Sequence, residues 1–167
     1  MPFMKICKSL LFFSIICLLT NVSAQIPSRY KVNENDQITS YKNLIYGGIG
    51  SVLLYSPAYV YYERQLKEGF LKSKFSSFVT VGTGAAVHWE GASQYVALRF
   101  GLLLGENKHH LETSFGTSYF YHGDMQDAII PISFAVGYRK MIPGQNYVFR
   151  TGVGWPESIY VSWGLRF

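Results

Sequence analysis

An all-β fold, in which eight antiparallel strands close up-and-down into a transmembrane β-barrel, is predicted by three features of this sequence. Charged residues are scarce, at 15% of the chain, while aromatics reach 17%; soluble domains usually carry about 25% charged residues. From Asn43 onward hydrophobic residues recur at every second position, the period of a strand, and helical periodicity is lacking. Between them stand Gly, Ala and Ser with single Arg or Glu residues, not the regular Lys, Glu and Thr of a solvated sheet face. Small residues suit the crowded interior of a narrow barrel, and the large apolar face then suits lipid.

The elements begin before the barrel. Lys5 and Lys8 precede an apolar run from Leu10 to Leu19, and Val22-Ser23-Ala24 places small residues ahead of a cleavage point at Gln25. That pattern predicts a secretory signal peptide over residues 1–24, with an apolar run too short to cross a bilayer as a helix. Cys17 follows Ser14-Ile15-Ile16, which lacks the small residues of a lipobox. Cys7 and Cys17, the 2 cysteines of the chain, both fall in this segment. The exported chain is therefore expected to rely on packing and backbone pairing rather than disulfides. Loss of Lys5 and Lys8 lowers the formal charge from +5 to +3, too little to argue for nucleic acid. Residues 25–42 are polar and aperiodic, and are read as a flexible periplasmic tail ahead of a barrel over 43–167.

Turn signals then divide the barrel into strands at about 43–49, 51–65, 74–87, 94–105, 109–121, 129–141, 146–155 and 158–167. Gly47-Gly48-Ile49-Gly50 reads either as a tight turn or as a kink in one long strand. Parity favours the turn, because single-chain bacterial barrels have even strand numbers with both termini on the periplasmic side. Val96, Leu98, Phe100, Leu102 and Leu104 share one face of their strand; Tyr95, Ala97, Arg99 and Gly101 share the other. Ile130–Tyr138, Tyr147–Trp155 and Ser158–Phe167 alternate in the same way. With eight strands, Gly105–Lys108 and Pro143–Asn146 become periplasmic turns, and Trp89–Ser93, His122–Asp127 and Pro156–Glu157 become short outer loops. Tyr59, Tyr61, Tyr62, Trp89, Tyr119, Tyr121, Trp155 and Trp163 fall near strand ends, where aromatic girdles are expected.

Several stretches resemble a known family. Asn43–Gly50 (NLIYGGIG), Leu54–Ser56 (LYS), Tyr62–Arg64 (YER), Gly137–Arg139 (GYR), Phe149–Gly154 (FRTGVG) and Trp163–Phe167 (WGLRF) are similar to segments of small bacterial outer-membrane β-barrel proteins. The resemblance spans about residues 43–167 and concerns architecture more than activity. It implies that the barrel-assembly machinery reads a C-terminal strand ending in an aromatic, here Phe167 with Leu165; Ser162 stands where a glycine is often found.

The chemistry to be expected inside follows from alternation. Arg99, Glu112, Arg139, Arg150 and Arg166 should all point into the lumen, most of them toward the periplasmic half. A guanidinium stays charged when buried and needs carboxylate or hydrogen-bond partners. Glu112 and Glu63 are the expected partners, which leaves an excess of positive charge that hydroxyls, carbonyls, water or an anion could meet. A structural ionic plug is the leading reading, ahead of a substrate or ion path.

His88, His109, His110 and His122 show no metal-ligand spacing. Gly82–Ala86 and Gly152–Gly154 resemble phosphate loops but sit in strand patterns without a following helix. Ser118, His122, Asp124 and Asp127 lie close in sequence, Ser118 and His122 four apart and so on one face of a regular strand, but no nucleophile motif accompanies them. The expectation is an integral protein of the bacterial outer membrane with a structural, binding or small-solute permeation role, without catalysis, metal or cofactor. Its partners would be outer-membrane lipids and the export and barrel-assembly machinery. The alternatives are a barrel enzyme that hydrolyses or transfers acyl chains of lipid A or phospholipid, and a secreted β-sandwich binding module.

Overall fold

Side chains that alternate across a strand leave the backbone donors and acceptors pointing sideways, so each segment needs a neighbour on both edges. The computed structural model describes residues 41–70, 75–106, 108–126, 131–142 and 144–167, and in it one closed sheet meets that need. The signal peptide expected over 1–24 and the tail as far as residue 40 lie outside the described residues.

Among the described residues the strands are β1 (Asn43–Ser51), β2 (Tyr55–Phe70), β3 (Phe75–His88), β4 (Gly91–Glu106), β5 (His109–Gly123), β6 (Ile132–Met141), β7 (Tyr147–Trp155) and β8 (Ser158–Arg166). Each pairs antiparallel with the next, and β8 returns to pair with β1. Asn43 and Phe167 complete the seam with two backbone hydrogen bonds of 3.0 Å. The result is an up-and-down closed barrel rather than the two facing sheets of a sandwich.

The first hairpin differs from the expected turn at Gly47–Gly50. Those residues belong to β1, and the chain reverses at Val52–Leu54, with Leu53 at φ 49°. Close packing explains the glycines. A Cβ on Gly48 would lie 2.5 Å from the Ser162 Cβ and 2.7 Å from the Tyr59 hydroxyl, and one on Gly50 would meet the Glu157 carbonyl. Residues 43–66 therefore form two strands, with Gly48 and Gly50 serving the lumen rather than the turn.

The register sets the shape. Stepping across the pairs from Lys42 passes Gln65, Phe78, Gly101, Ser114, Ala135, Gly154 and Ser158, and returns to β1 beside Val52, ten residues further along. With a rise of about 3.3 Å per residue and about 4.8 Å between strands, that stagger tilts the strands by roughly 40°. Each residue then climbs the barrel by about 2.5 Å, so the nine positions from Ile159 to Phe167 rise about 20 Å.

The faces are inverted relative to a soluble protein. Inside lie the buried Leu44, Tyr46, Tyr59, Tyr61, Phe78, Tyr95 and Tyr160, together with charged side chains. Outside, Ile49, Phe100, Phe115, Trp163 and Phe167 are each more than half exposed, at 63, 52, 65, 60 and 64%. Contiguous exposed apolar surface of this extent is unusual on a monomer in water. Among the described side chains, the charges on the outward strand faces are the cations Arg64 and Lys140. Both sit at the rim that carries Tyr41 and Phe167, called here the terminal rim; the opposite rim carries the turn at Val52–Leu54 and the β3–β4 and β7–β8 turns.

Part of the expected aromatic girdle is in the lumen instead. Tyr59 and Tyr61 are buried and alternate with outward Val60 and Tyr62, while Trp155 is half-buried and stacks on Tyr55 at 5.5 Å. Tyr62, Trp89, Tyr119, Tyr121 and Trp163 do face outward or stand at a rim.

Candidate functional site

Tilted strands with small residues at alternate inward positions leave room for long side chains to cross the lumen. Gly101 accommodates the Phe78 ring and Gly82 the Tyr61 ring, and the guanidinium groups fill what remains. All four predicted arginines are inside: Arg99 on β4, Arg139 on β6, Arg150 on β7 and Arg166 at the end of β8 are each at most 8% exposed. Glu112 on β5 and Glu63 on β2 are fully buried with them.

The larger cluster lies toward the terminal rim. Arg139 donates from Nη1 and Nη2 to Glu63 at 2.6 and 2.7 Å, and from Nε to Glu112 at 2.7 Å. Arg150 donates from Nε to the same Glu112 Oε2 at 2.9 Å and from Nη2 to Oε1. Glu112 thus bridges two arginines that are cross-strand partners on β6 and β7. Tyr41 closes the cluster from below, donating its hydroxyl to Glu63 at 2.5 Å while accepting from Arg139. Burial holds the Tyr41 phenol well above its usual pKa; the Arg139 charge opposes this and the Glu63 charge adds to it. Aromatic faces take up the remaining positive surface: the Arg150 guanidinium carbon lies 3.7 Å from the Tyr46 ring centre and that of Arg139 5.0 Å from Phe78.

A second cluster lies toward the opposite rim. Arg99 donates to Glu157 at 3.1 and 2.5 Å, in the two-pronged geometry a guanidinium favours, and Tyr61 donates to the same carboxylate at 2.5 Å. Glu157 was expected in an outer loop. It occupies the β7–β8 turn, but its side chain folds back into the barrel and is 2% exposed.

The expected surplus of positive charge is therefore largely absent. Arg99, Arg139 and Arg150 face Glu63, Glu112 and Glu157, three against three, and every oxygen of the three carboxylates accepts a hydrogen bond. Arg166 stands apart and donates to the backbone carbonyls of Ile142, at 3.0 Å, and of Gln145. A carboxylate saturated with guanidinium and phenol donors is a poor proton acceptor, so this arrangement fixes charge and fills space.

The other candidate groups do not converge. Ser118 is buried and donates to the Ile132 carbonyl at 3.0 Å, whereas His122 is exposed. The β4–β5 register slips between Gln94 and Tyr95, which leaves Tyr121 as an extra residue and puts Ser118 and His122 on different faces. His88 shares a 3.1 Å hydrogen bond with Ser93 Oγ, which also receives the Met125 N–H at 3.0 Å, and His109 Nδ1 lies 2.5 Å from the Tyr138 hydroxyl. Leu165 and Phe167 both point outward, 51 and 64% exposed, at the closing seam.

Compared with known protein families, with characterised proteins and with solved structures, the chain has no match in any of the three.

Proposed function

We propose that this chain is an integral β-barrel of the bacterial outer membrane, with a structural or binding role at the membrane and an occluded lumen. One observation carries the reading: the barrel is apolar outside and ion-paired inside. In water that arrangement exposes the costly surface and buries the soluble one; in lipid both faces are matched to their surroundings. Closure supports it, because a membrane tolerates no unpaired strand edge. An apolar rise of about 20 Å at a tilt of roughly 40° approaches the band of about 25 Å typical of such barrels. The termini then lie on the periplasmic side, and Phe167 and Leu165 serve as the handle for the assembly machinery.

Occlusion rests on the side chains that cross the lumen. Eight-stranded barrels have interiors just wide enough for side chains to fill, and here the largest of them are aromatic or ion-paired. Nothing in the arrangement of Ser118 and His122 favours the lipid-modifying reading.

The test is to refold the mature chain into detergent and into vesicles. The folded barrel should migrate faster than the boiled one on a gel, float with vesicles and resist extraction at alkaline pH. In planar bilayers it should show no unitary conductance steps. A chain that stays soluble without detergent would end the membrane reading, and discrete conductance would end the occluded one.

A further inference from the structure

The outward wall of β6–β8 is not smooth. At the terminal rim it holds a groove of about 450 Å³ whose lining includes Tyr138 and Lys140 from β6, Gln145 from the following turn, Tyr147 and Phe149 from β7, and Trp163 from β8. That volume lies in the range of small-molecule sites. Tyr147 and Trp163 are 71 and 60% exposed, and Phe149 meets Trp163 edge-on at 5.9 Å. Aromatic walls with polar tips match the boundary between acyl chains and headgroups.

Among the described side chains, the charged ones beside the groove are cations. Lys140 is exposed at its edge, and the β4–β5 turn brings Lys108 alongside, its carbonyl accepting the Met141 N–H at 2.9 Å. From Pro131 to Phe167 the described residues contain one carboxylate side chain, Glu157, and it is committed to Arg99 inside the barrel. Among the described side chains the rims differ in the same sense: Lys42, Arg64, Lys108 and Lys140 stand at the terminal rim, Glu90 and Asp124 at the other.

We infer that this groove binds one anionic glycerophospholipid of the periplasmic leaflet, its phosphate at Lys140 and an acyl chain along Phe149 and Trp163. The inference rests on the membrane reading above. A lysine ammonium is a compact charge suited to a phosphate, and the apolar wall continues toward the membrane centre from the point where the headgroup would sit.

Native mass spectrometry of the barrel in mild detergent, titrated with phosphatidylglycerol or with phosphatidylcholine of the same chains, tests it. One phosphatidylglycerol per barrel should be retained, with about fivefold preference over phosphatidylcholine, the effect of one basic residue near an anionic surface. Lys140→Gln should abolish the preference and Lys140→Arg should keep it, while Trp163→Ala should weaken both lipids. Equal retention of the two lipids by the wild type, or a preference untouched by Lys140→Gln, would overturn the inference. Flotation of the same proteins with phosphatidylcholine vesicles separates the two failures. Barrels that float without lipid preference lose only the groove assignment; barrels that do not float lose the membrane reading and the groove with it.

Discussion

Replacing Glu112 by glutamine removes the charge that two buried arginines share, with little change of volume. Arg139 keeps its paired contact with Glu63. Arg150 loses its carboxylate partner and is left with the Tyr46 ring at 3.7 Å and whatever the amide oxygen accepts. Breaking one side of a buried ion pair costs about 3–5 kcal/mol, and a desolvated cation–π contact offsets about 2 kcal/mol only if it strengthens on rearrangement. The Tyr46 contact already exists, so a net loss of about 3 kcal/mol is expected, a factor of roughly 150 in the folding equilibrium. With a urea dependence of about 2 kcal/mol per molar, the midpoint in vesicles should fall by about 1.5 M. Tryptophan fluorescence and gel mobility should report the same shift. Pairing Glu112→Gln with Arg150→Met should recover much of the loss, because the second change removes the orphaned charge. A Glu112→Gln midpoint within about 0.25 M of wild type would refute the claim that these pairs hold the lumen together.

Two further outcomes follow from the same picture. Phe115 faces outward between Phe100 and Phe134, in the middle of the apolar belt, so Phe115→Arg should destabilise the vesicle-inserted barrel by about 2–4 kcal/mol. Urea titration against wild type measures it, and an equally stable variant would contradict the lipid-facing assignment. Tyr41 has its pKa raised by burial in the folded state, so folding favours the protonated phenol. Its contribution should be intact below about pH 10 and lost as the pH rises through the folded-state value. The stability difference between wild type and Tyr41→Phe should thus be constant below about pH 10 and turn toward the variant above it; a pH-independent difference would remove Tyr41 from the ionic cluster.

The fold was largely legible because a strand period of two assigns each residue to a face. Arg99, Glu112, Arg139, Arg150 and Arg166 alternate with large apolar residues, and that alone places them in the lumen. The same rule could have placed Tyr59 and Tyr61 inside with Glu63, since all three are odd-numbered positions of one strand. Their proximity to a strand end drew them toward a girdle instead. Three features were hidden for physical reasons. Glu157 sits in a two-residue turn, where alternation says nothing about direction, and Arg99 and Tyr61 across the lumen hold it inside. Tyr41 lies in a polar stretch whose neighbours carry no pattern, yet it lies within hydrogen-bonding reach of Glu63 and Arg139. The extra residue at Tyr121 changes the phase of β5 without any composition signal, which is why simple alternation puts Ser118 and His122 on one face. Gly48 and Gly50 read equally as a turn or as close packing, and the answer depends on Ser162, Tyr59 and Glu157 on other strands or turns.

Tryptophan reports directly which face of the barrel meets lipid. Trp163 points outward from β8 and Trp155 toward the lumen against Tyr55 and Phe120. Single-tryptophan variants, each with the other two changed to phenylalanine, can be refolded into vesicles whose acyl chains carry bromine, a contact quencher. Strong quenching of Trp163 with little quenching of Trp155 is the predicted result. Equal quenching of the two, or quenching of Trp155 alone, would contradict it.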